Sequence, residues 1–202
     1  MKNKGLIITT IIFFLLVNTT YYWEAKLGIL TFPAFLILVV VFVGLFITLF
    51  RQLYFATKEK FKYKLRNYKI ALLTVVLALT IFRPFGLVDF DKLKGADILI
   101  ATREGGGNCT SILKLKENHE FRQRDVCFGV TEVKGTFRIS NDTIYFEQSN
   151  FNRRKVKYYD FAVIRPTKYG IEDNKFDLVL YYKNDTLGHE LYITKNKISK
   201  QK

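Results

Sequence analysis

Residues that support metal or disulfide chemistry are scarce in this chain. Its 202 residues include two cysteines, two histidines, three prolines and one methionine. Two cysteines are too few for a four-thiolate zinc site or a disulfide-dense scaffold. Acidic residues are also few, 18 against 32 lysines and arginines, so the formal net charge is +14. Aromatic residues make up 16% of the chain, which excludes disorder over most of its length.

Charged residues are missing from long stretches of the N-terminal part. Residues 5–23 and 28–50 carry none over 19 and 23 positions, and a membrane-spanning helix needs about 20 apolar residues. Residues 70–88 form a third, weaker stretch that contains Arg83, whose side chain we expect to reach the far membrane interface. The sequence therefore predicts a region of three transmembrane helices over residues 1–88. A cleaved signal peptide is an alternative for the first stretch, and a buried helix of a soluble domain for the third.

Basic residues are concentrated in residues 51–69, between the second and third stretches. This segment has seven basic residues and one acidic residue, whereas the connector 24–27 has one of each. Cytoplasmic loops collect lysine and arginine. The N-terminus and the 51–69 loop are therefore predicted to be cytoplasmic, and the domain 89–202 extracytoplasmic.

The 51–69 loop also suits contact with a lipid surface. Treated as one helix, it places aromatic and apolar side chains on one face, which is typical of a helix that lies on a membrane. The alternative is that its charge only sets the topology. Nucleic-acid binding is not predicted, because +6 of the net charge of +14 lies in this one loop. The side chains predicted to contact anionic headgroups are Lys58, Lys60, Lys62, Lys64 and Arg66.

From residue 95 onward the sequence changes to short alternating segments. Eight strand-like segments, separated by turn signals, follow one another without a helical crossover. This pattern predicts an antiparallel, meandering β-barrel or sandwich of about eight strands. A two-residue turn at residues 141–142 would pair Ile139 with Ile144 on one face of a hairpin.

The two cysteines fall opposite each other in one predicted hairpin. A three-residue turn at residues 117–119 pairs Leu115 with Phe121, and the same register places Cys109 opposite Cys127. Outside the cytoplasm such a pair forms a disulfide, which we predict here. A redox-active pair and buried free thiols are the alternatives, and the lack of a Cys-x-x-Cys spacing argues against the first.

Few residues in the sequence point to chemistry. We find no catalytic constellation, cofactor motif or metal-ligand spacing, and predict a protein that is not an enzyme and that uses no cofactor or metal. Gln123 and Asp125 share a strand face with Phe121, and inward polar residues of a barrel are candidates to line a ligand cavity. A bulge that turns them outward is the alternative. His189 lies opposite Leu180 on the predicted core face and is a third candidate.

Two segments of the outer domain resemble a known family. Residues 113–121 (LKLKENHEF) and 135–146 (GTFRISNDTIYF) are similar to hairpins of the small lipocalin-like, META-type β-barrel modules of bacterial envelope proteins. The resemblance implies a ligand- or partner-binding barrel and carries over no catalytic residue. With the predicted spans, it implies a multi-pass protein of the bacterial inner membrane whose barrel is periplasmic or extracellular.

Two functions follow as hypotheses. The first is a membrane-anchored envelope protein whose barrel binds a small molecule, lipid or peptide. The second is a structural, regulatory or immunity-type accessory subunit of a larger membrane complex. Threonine and asparagine side chains in the first apolar stretch favour the second weakly, because such groups hydrogen-bond between membrane helices.

Overall fold

The computed structural model describes residues 2–148, 158–167, 176–184 and 187–198. Its two compact units are Met1–Asp89 and Phe90–Lys202, and each is described by itself. The alternating sequence pattern begins the last three strand-like segments at residues 155, 175 and 186, and these residues lie outside the described ones.

The first unit is helical. Two of its helices are long and apolar enough to cross a membrane, and a bent pair brings the number to three if that pair is one broken span. The second and third apolar stretches therefore form helices that could span a membrane by length and composition. The helices are α1 (Lys2–Asn18), α2 (Thr20–Leu27), α3 (Thr31–Lys58) and α4 (Lys64–Phe82).

The first stretch is not the single helix that we predicted over residues 5–23. α1 and α2 meet at a bend of 75°. The hydroxyls of Thr19 and Thr20 and the indole N–H of Trp23 donate hydrogen bonds of 2.7, 2.7 and 3.0 Å to carbonyls of Leu15, Val17 and Leu16. Backbone carbonyls at a helix break in apolar surroundings need such donors. The polar side chains near the bend thus satisfy the end of α1.

α1, α3 and α4 share one apolar core. Its buried side chains come from all three helices, so α1 packs against the two long helices. Apolar side chains also cover the outside of α3, where Val40 is 71% exposed. Exposed apolar surface of this extent marks a membrane or protein contact. The buried core consists of Phe13, Val17, Leu45, Leu49, Leu73, Val76 and Leu77.

The basic segment is a helix hairpin and not the single surface helix that its residue pattern suggested. α3 continues to Lys58 and α4 begins at Lys64, so that residues 59–63 form a tight turn. Lys60 and Phe61 in this turn have φ angles of 51° and 57°. A right-handed helix cannot contain this left-handed backbone, so the predicted common face of the segment does not exist.

The second unit is a closed barrel in which each strand is antiparallel to its sequence neighbour and the last pairs with the first. This confirms the predicted meander. Leu115 pairs with Phe121 and Ile139 with Ile144, as the turn lengths predicted. The strands are β1 (Asp97–Glu104), β2 (Thr110–Lys116), β3 (Glu120–Val126), β4 (Val130–Ser140), β5 (Thr143–Gln148), β6 (Phe161–Pro166), β7 (Phe176–Tyr181) and β8 (His189–Asn196).

Side chains fill the centre of the barrel, as expected for eight strands. The rings of Phe121, Phe146 and Tyr158 meet there with centroid distances of 4.8 to 5.3 Å. Around them lie aliphatic side chains that are almost fully buried: Leu99, Ala101, Leu113, Leu115, Ile144, Ala162, Leu178, Leu180 and Leu191.

The two ends of the barrel differ. The chain enters beside the β2–β3 turn, where the Glu117 amide donates to the Ala96 carbonyl at 3.0 Å. The opposite end carries the β3–β4 turn and the segment between β7 and β8. We call this opposite end the mouth.

Candidate functional site

The two cysteines lie at the mouth. Cys109 and Cys127 form a disulfide with a Cα–Cα distance of 4.4 Å. They form the next pair beyond Thr110 and Val126, which end the β2–β3 ladder. The predicted disulfide is confirmed, and it closes the mouth end of this hairpin.

Below the disulfide, a chain of polar side chains leads from the core to the mouth. Gln123 pairs with Leu113 and Asp125 with Ser111 in a continuous ladder without a bulge, so both side chains share the inward face with Phe121. The Tyr158 hydroxyl donates to Gln123 Oε1 at 2.7 Å, and Gln123 Nε2 donates to Asp125 Oδ1 at 3.0 Å. Tyr158 and Gln123 are buried, whereas Asp125 is partly exposed. This row of hydrogen-bonded side chains therefore ends at the Asp125 carboxylate at the mouth.

Three aromatic rings cluster at the same end of the barrel, and Asp125 interacts electrostatically with one of them, that of Tyr159. The ring centroid of Tyr159 lies 4.6 Å from that of Tyr182 and 5.3 Å from that of His189. His189 pairs with Leu180 as predicted. Its side chain is exposed and not buried in the core, because the first residue of β8 stands at the mouth.

Burial changes the acidity of two phenols at this site. It raises the pKa of Tyr158 well above the usual range. Burial and the neighbouring Tyr182, which forms a side-chain hydrogen bond with Tyr159, raise the pKa of Tyr159 to about 12. Both groups therefore keep their protons at neutral pH and remain hydrogen-bond donors.

Sequence reasoning missed the three tyrosines of this site. Tyr158 and Tyr159 precede β6, and Tyr182 follows β7, so they lie far from Gln123 in sequence. The adjacent Tyr158-Tyr159 pair and the aromatic end of β7 were visible signals. What the sequence lacked was the closure of the barrel, which brings these positions together.

The structure also brings the predicted headgroup contacts together. Lys58, Lys60, Lys62 and Lys64 are all exposed in or beside the turn of the α3–α4 hairpin. Arg66 differs from them, because its guanidinium forms an ion pair with Glu59.

A cluster of charges on the outside of the barrel was not predicted. Asp91, in the segment before β1, contacts Lys114 Nζ at 2.6 Å and Arg122 Nη1 at 3.0 Å. Lys116 is 2% exposed and donates to the Asp91 carbonyl and to Asp97 Oδ1 at 2.8 and 2.9 Å. Burial acts to raise the pKa of Asp91, but Lys114 and Arg122 outweigh it and lower that pKa to about 2. The cluster joins the segment before β1 to the outer face of β2 and β3.

Neither cluster resembles a metal centre. Among the residues that the structure describes, no group of three or more histidine, cysteine, aspartate or glutamate side chains is placed to hold a metal ion. No protein-family model, curated protein or solved structure matches this chain.

Proposed function

We propose that this chain is a non-enzymatic binding protein, anchored in the bacterial inner membrane, whose barrel takes a small polar molecule at its mouth. The observation that carries this proposal is the hydrogen-bonded chain from Tyr158 through Gln123 to Asp125. The closed eight-stranded meander is compatible with the resemblance to lipocalin-like modules, which remains part of the proposal.

Polar side chains that point into an apolar barrel carry an energetic cost. Each buried polar group that lacks a hydrogen bond costs about 1–3 kcal/mol. Tyr158 and Gln123 satisfy each other, and the amide of Gln123 donates to Asp125. A fully apolar layer would hold the fold together without this network. The energetic cost of this network is explained if its partly exposed carboxylate end binds a ligand.

The packed centre restricts what the ligand is. Phe121, Phe146 and Tyr158 occupy the interior, so a long acyl chain finds no space along the barrel axis among the described residues. At the mouth, a ligand meets the Asp125 carboxylate and the Tyr159 ring. We therefore favour a small molecule with a hydrogen-bond donor and a flat or apolar face over a lipid.

The basic hairpin supports the proposed orientation. If the turn between α3 and α4 is cytoplasmic, α4 leads the chain outward whether or not α1 and α2 form a complete span. The disulfide favours the same side, since such bonds persist in oxidising compartments. This proposal takes α1 and α2 as one broken span, which makes the N-terminus cytoplasmic, and the barrel is periplasmic or extracellular.

A second function, that of an accessory subunit, is favoured by another observation at the mouth. Phe128 and Leu187 are each 76% exposed there, in the β3–β4 turn and in the segment before β8. Exposed apolar side chains at one end of a domain suit contact with another protein. In this alternative the structural, regulatory or immunity-type role is exerted through a membrane complex.

One purification distinguishes the two functions. The full chain is extracted in mild detergent and its bound small molecules and proteins are identified by mass spectrometry. We expect one small molecule that Asp125→Asn and Tyr182→Ala remove. The matched control is Tyr145→Ala, which truncates a tyrosine on the outer face of β5 that contacts Arg138 and should leave the molecule bound.

Two results would contradict the ligand hypothesis. One is a bound molecule that survives both substitutions at the mouth. The other is a stoichiometric membrane protein, with no small molecule, that Phe128→Ser and Leu187→Ser release while Tyr182→Ala does not. The second result would establish the accessory-subunit role instead.

A further inference from the structure

The turn between α3 and α4 has a defined backbone structure that places its side chains at the end of the helix pair. The Lys60 amide donates to the Thr57 carbonyl at 3.0 Å and the Phe61 amide to the Ala56 carbonyl at 2.8 Å. These two bonds form a Schellman motif, in which glycine usually takes the left-handed position. Lys60 occupies that position here. A lysine is therefore held at the apex despite a backbone that glycine would adopt at lower cost.

Within the segment 51–69, the positive charge of the turn is largely uncompensated. Four exposed lysines occupy alternate positions from Lys58 to Lys64. Glu59 is the only acidic residue in the segment 51–69, and its carboxylate pairs with Arg66. Four ammonium groups thus remain to face outward at one end of the helix pair.

Exposed aromatic side chains lie close in sequence to these lysines. The Arg66 guanidinium lies over the rings of Phe55 and Tyr63 at 5.7 and 5.9 Å. Tyr54, Phe61 and Tyr63 are at least 50% exposed. Aromatic rings with a polar edge are typical of the headgroup level of a membrane.

The length of α3 places this surface near the headgroups. Its 28 residues extend over about 42 Å, whereas the hydrocarbon core of a bilayer is about 30 Å thick. The charge-free part of the helix ends at Phe50, and Arg51 begins the basic part. The last two turns of α3 and the lysine turn therefore lie beyond the hydrocarbon.

We propose that the α3–α4 hairpin is a docking surface for anionic phospholipid headgroups of the same membrane. Lys58, Lys60, Lys62 and Lys64 supply the charge, and the surrounding rings seat the hairpin in the interface. Each lysine near such a surface strengthens binding by about fivefold. The proposal rests on the membrane anchoring proposed above. In it, the hairpin binds anionic phospholipids in preference to neutral ones.

Native mass spectrometry of the full chain tests this proposal. The chain is first reconstituted into nanodiscs of phosphatidylcholine with about 30% phosphatidylglycerol, an anionic lipid that gives the bilayer a negative surface potential. We expect retained phosphatidylglycerol to exceed its share of the disc. Replacing all four lysines with glutamine should reduce that excess at least about tenfold. Glu59→Gln, which releases Arg66, should increase it.

The matched control replaces four exposed lysines of the barrel unit with glutamine: Lys92, Lys94, Lys183 and Lys197. It changes the net charge equally and should leave the lipid excess unchanged. A second control, Lys60→Gly, suits the left-handed turn and should lower the excess only about fivefold. Its helical unit should stay folded, which separates loss of charge from loss of fold.

Three results would overturn the proposal. The first is an equal loss of lipid excess in both quadruple variants, and the second is retention of the excess in the hairpin variant. The third is co-purifying nucleic acid that only the hairpin variant loses. Failure of the wild-type chain to enter discs of phosphatidylcholine alone would instead refute the membrane anchoring, so the two failures are distinguishable.

Discussion

Replacing Asp91 with asparagine tests the charged cluster on the barrel wall. The substitution keeps the shape of the side chain and removes the charge that faces Lys114 and Arg122. These partners lower the Asp91 pKa from 3.8 to about 2. A shift of this size corresponds to about 2.5 kcal/mol of stability. The side chain is only 10% exposed, so solvent screening removes little of it.

The sign of the pH dependence follows from the direction of this shift. A lowered pKa means that the folded state favours the ionised carboxylate. The stabilisation is therefore complete above about pH 5 and is lost as the pH falls through about 2. The difference between wild type and Asp91→Asn should be largest at neutral pH and should shrink over that range.

Hydrogen exchange of the full chain in detergent measures the effect. At neutral pH we expect amides of β2 and β3 to exchange about 50-fold faster in Asp91→Asn. Glu147→Gln, an exposed carboxylate on β5, is the control and should change exchange less than about threefold. A change in Asp91→Asn no larger than the control, or one that persists undiminished at pH 2, would refute the reasoning.

Three further predictions concern other parts of the chain. A membrane-impermeant thiol reagent on intact spheroplasts should label Cys109 and Cys127 only after reduction; labelling that needs lysis but no reductant would contradict both the bond and the topology. Tyr158→Phe should destabilise the barrel by about 1–3 kcal/mol, because buried Gln123 Oε1 loses its donor; unchanged exchange protection in β3 would count against it. Lys60→Gly should stabilise the helical unit by about 0.5–1 kcal/mol, because glycine adopts a φ of 51° without strain; a lower thermal midpoint would disprove this.

Local rules were sufficient to predict which residues pair across each turn. A two-residue turn places Ile139 opposite Ile144 whatever surrounds the hairpin, and a three-residue turn places Cys109 opposite Cys127. In the same way, the absence of charge over residues 28–50 predicts an apolar helix that is long enough to span a membrane. In each case the controlling interaction acts between residues near one another in sequence.

The same local reasoning failed where a break in a helix depended on one or two residues. The charge-free stretch of residues 5–23 predicts one helix, yet Thr19 and Thr20 stabilise a bend within it. In the basic segment, the left-handed Lys60 and Phe61 end one helix before the next begins. Hydropathy averages over such positions and does not detect them.

The sequence by itself determined the helical unit, the meander of strands and the disulfide. Only the tertiary structure decided that Tyr158, Gln123 and Asp125 form one hydrogen-bonded chain and that His189 stands at the mouth. These positions belong to strands and loops far apart in sequence. Their meeting depends on barrel closure, a long-range event in which β8 pairs with β1, and no turn length or local hydropathy encodes it.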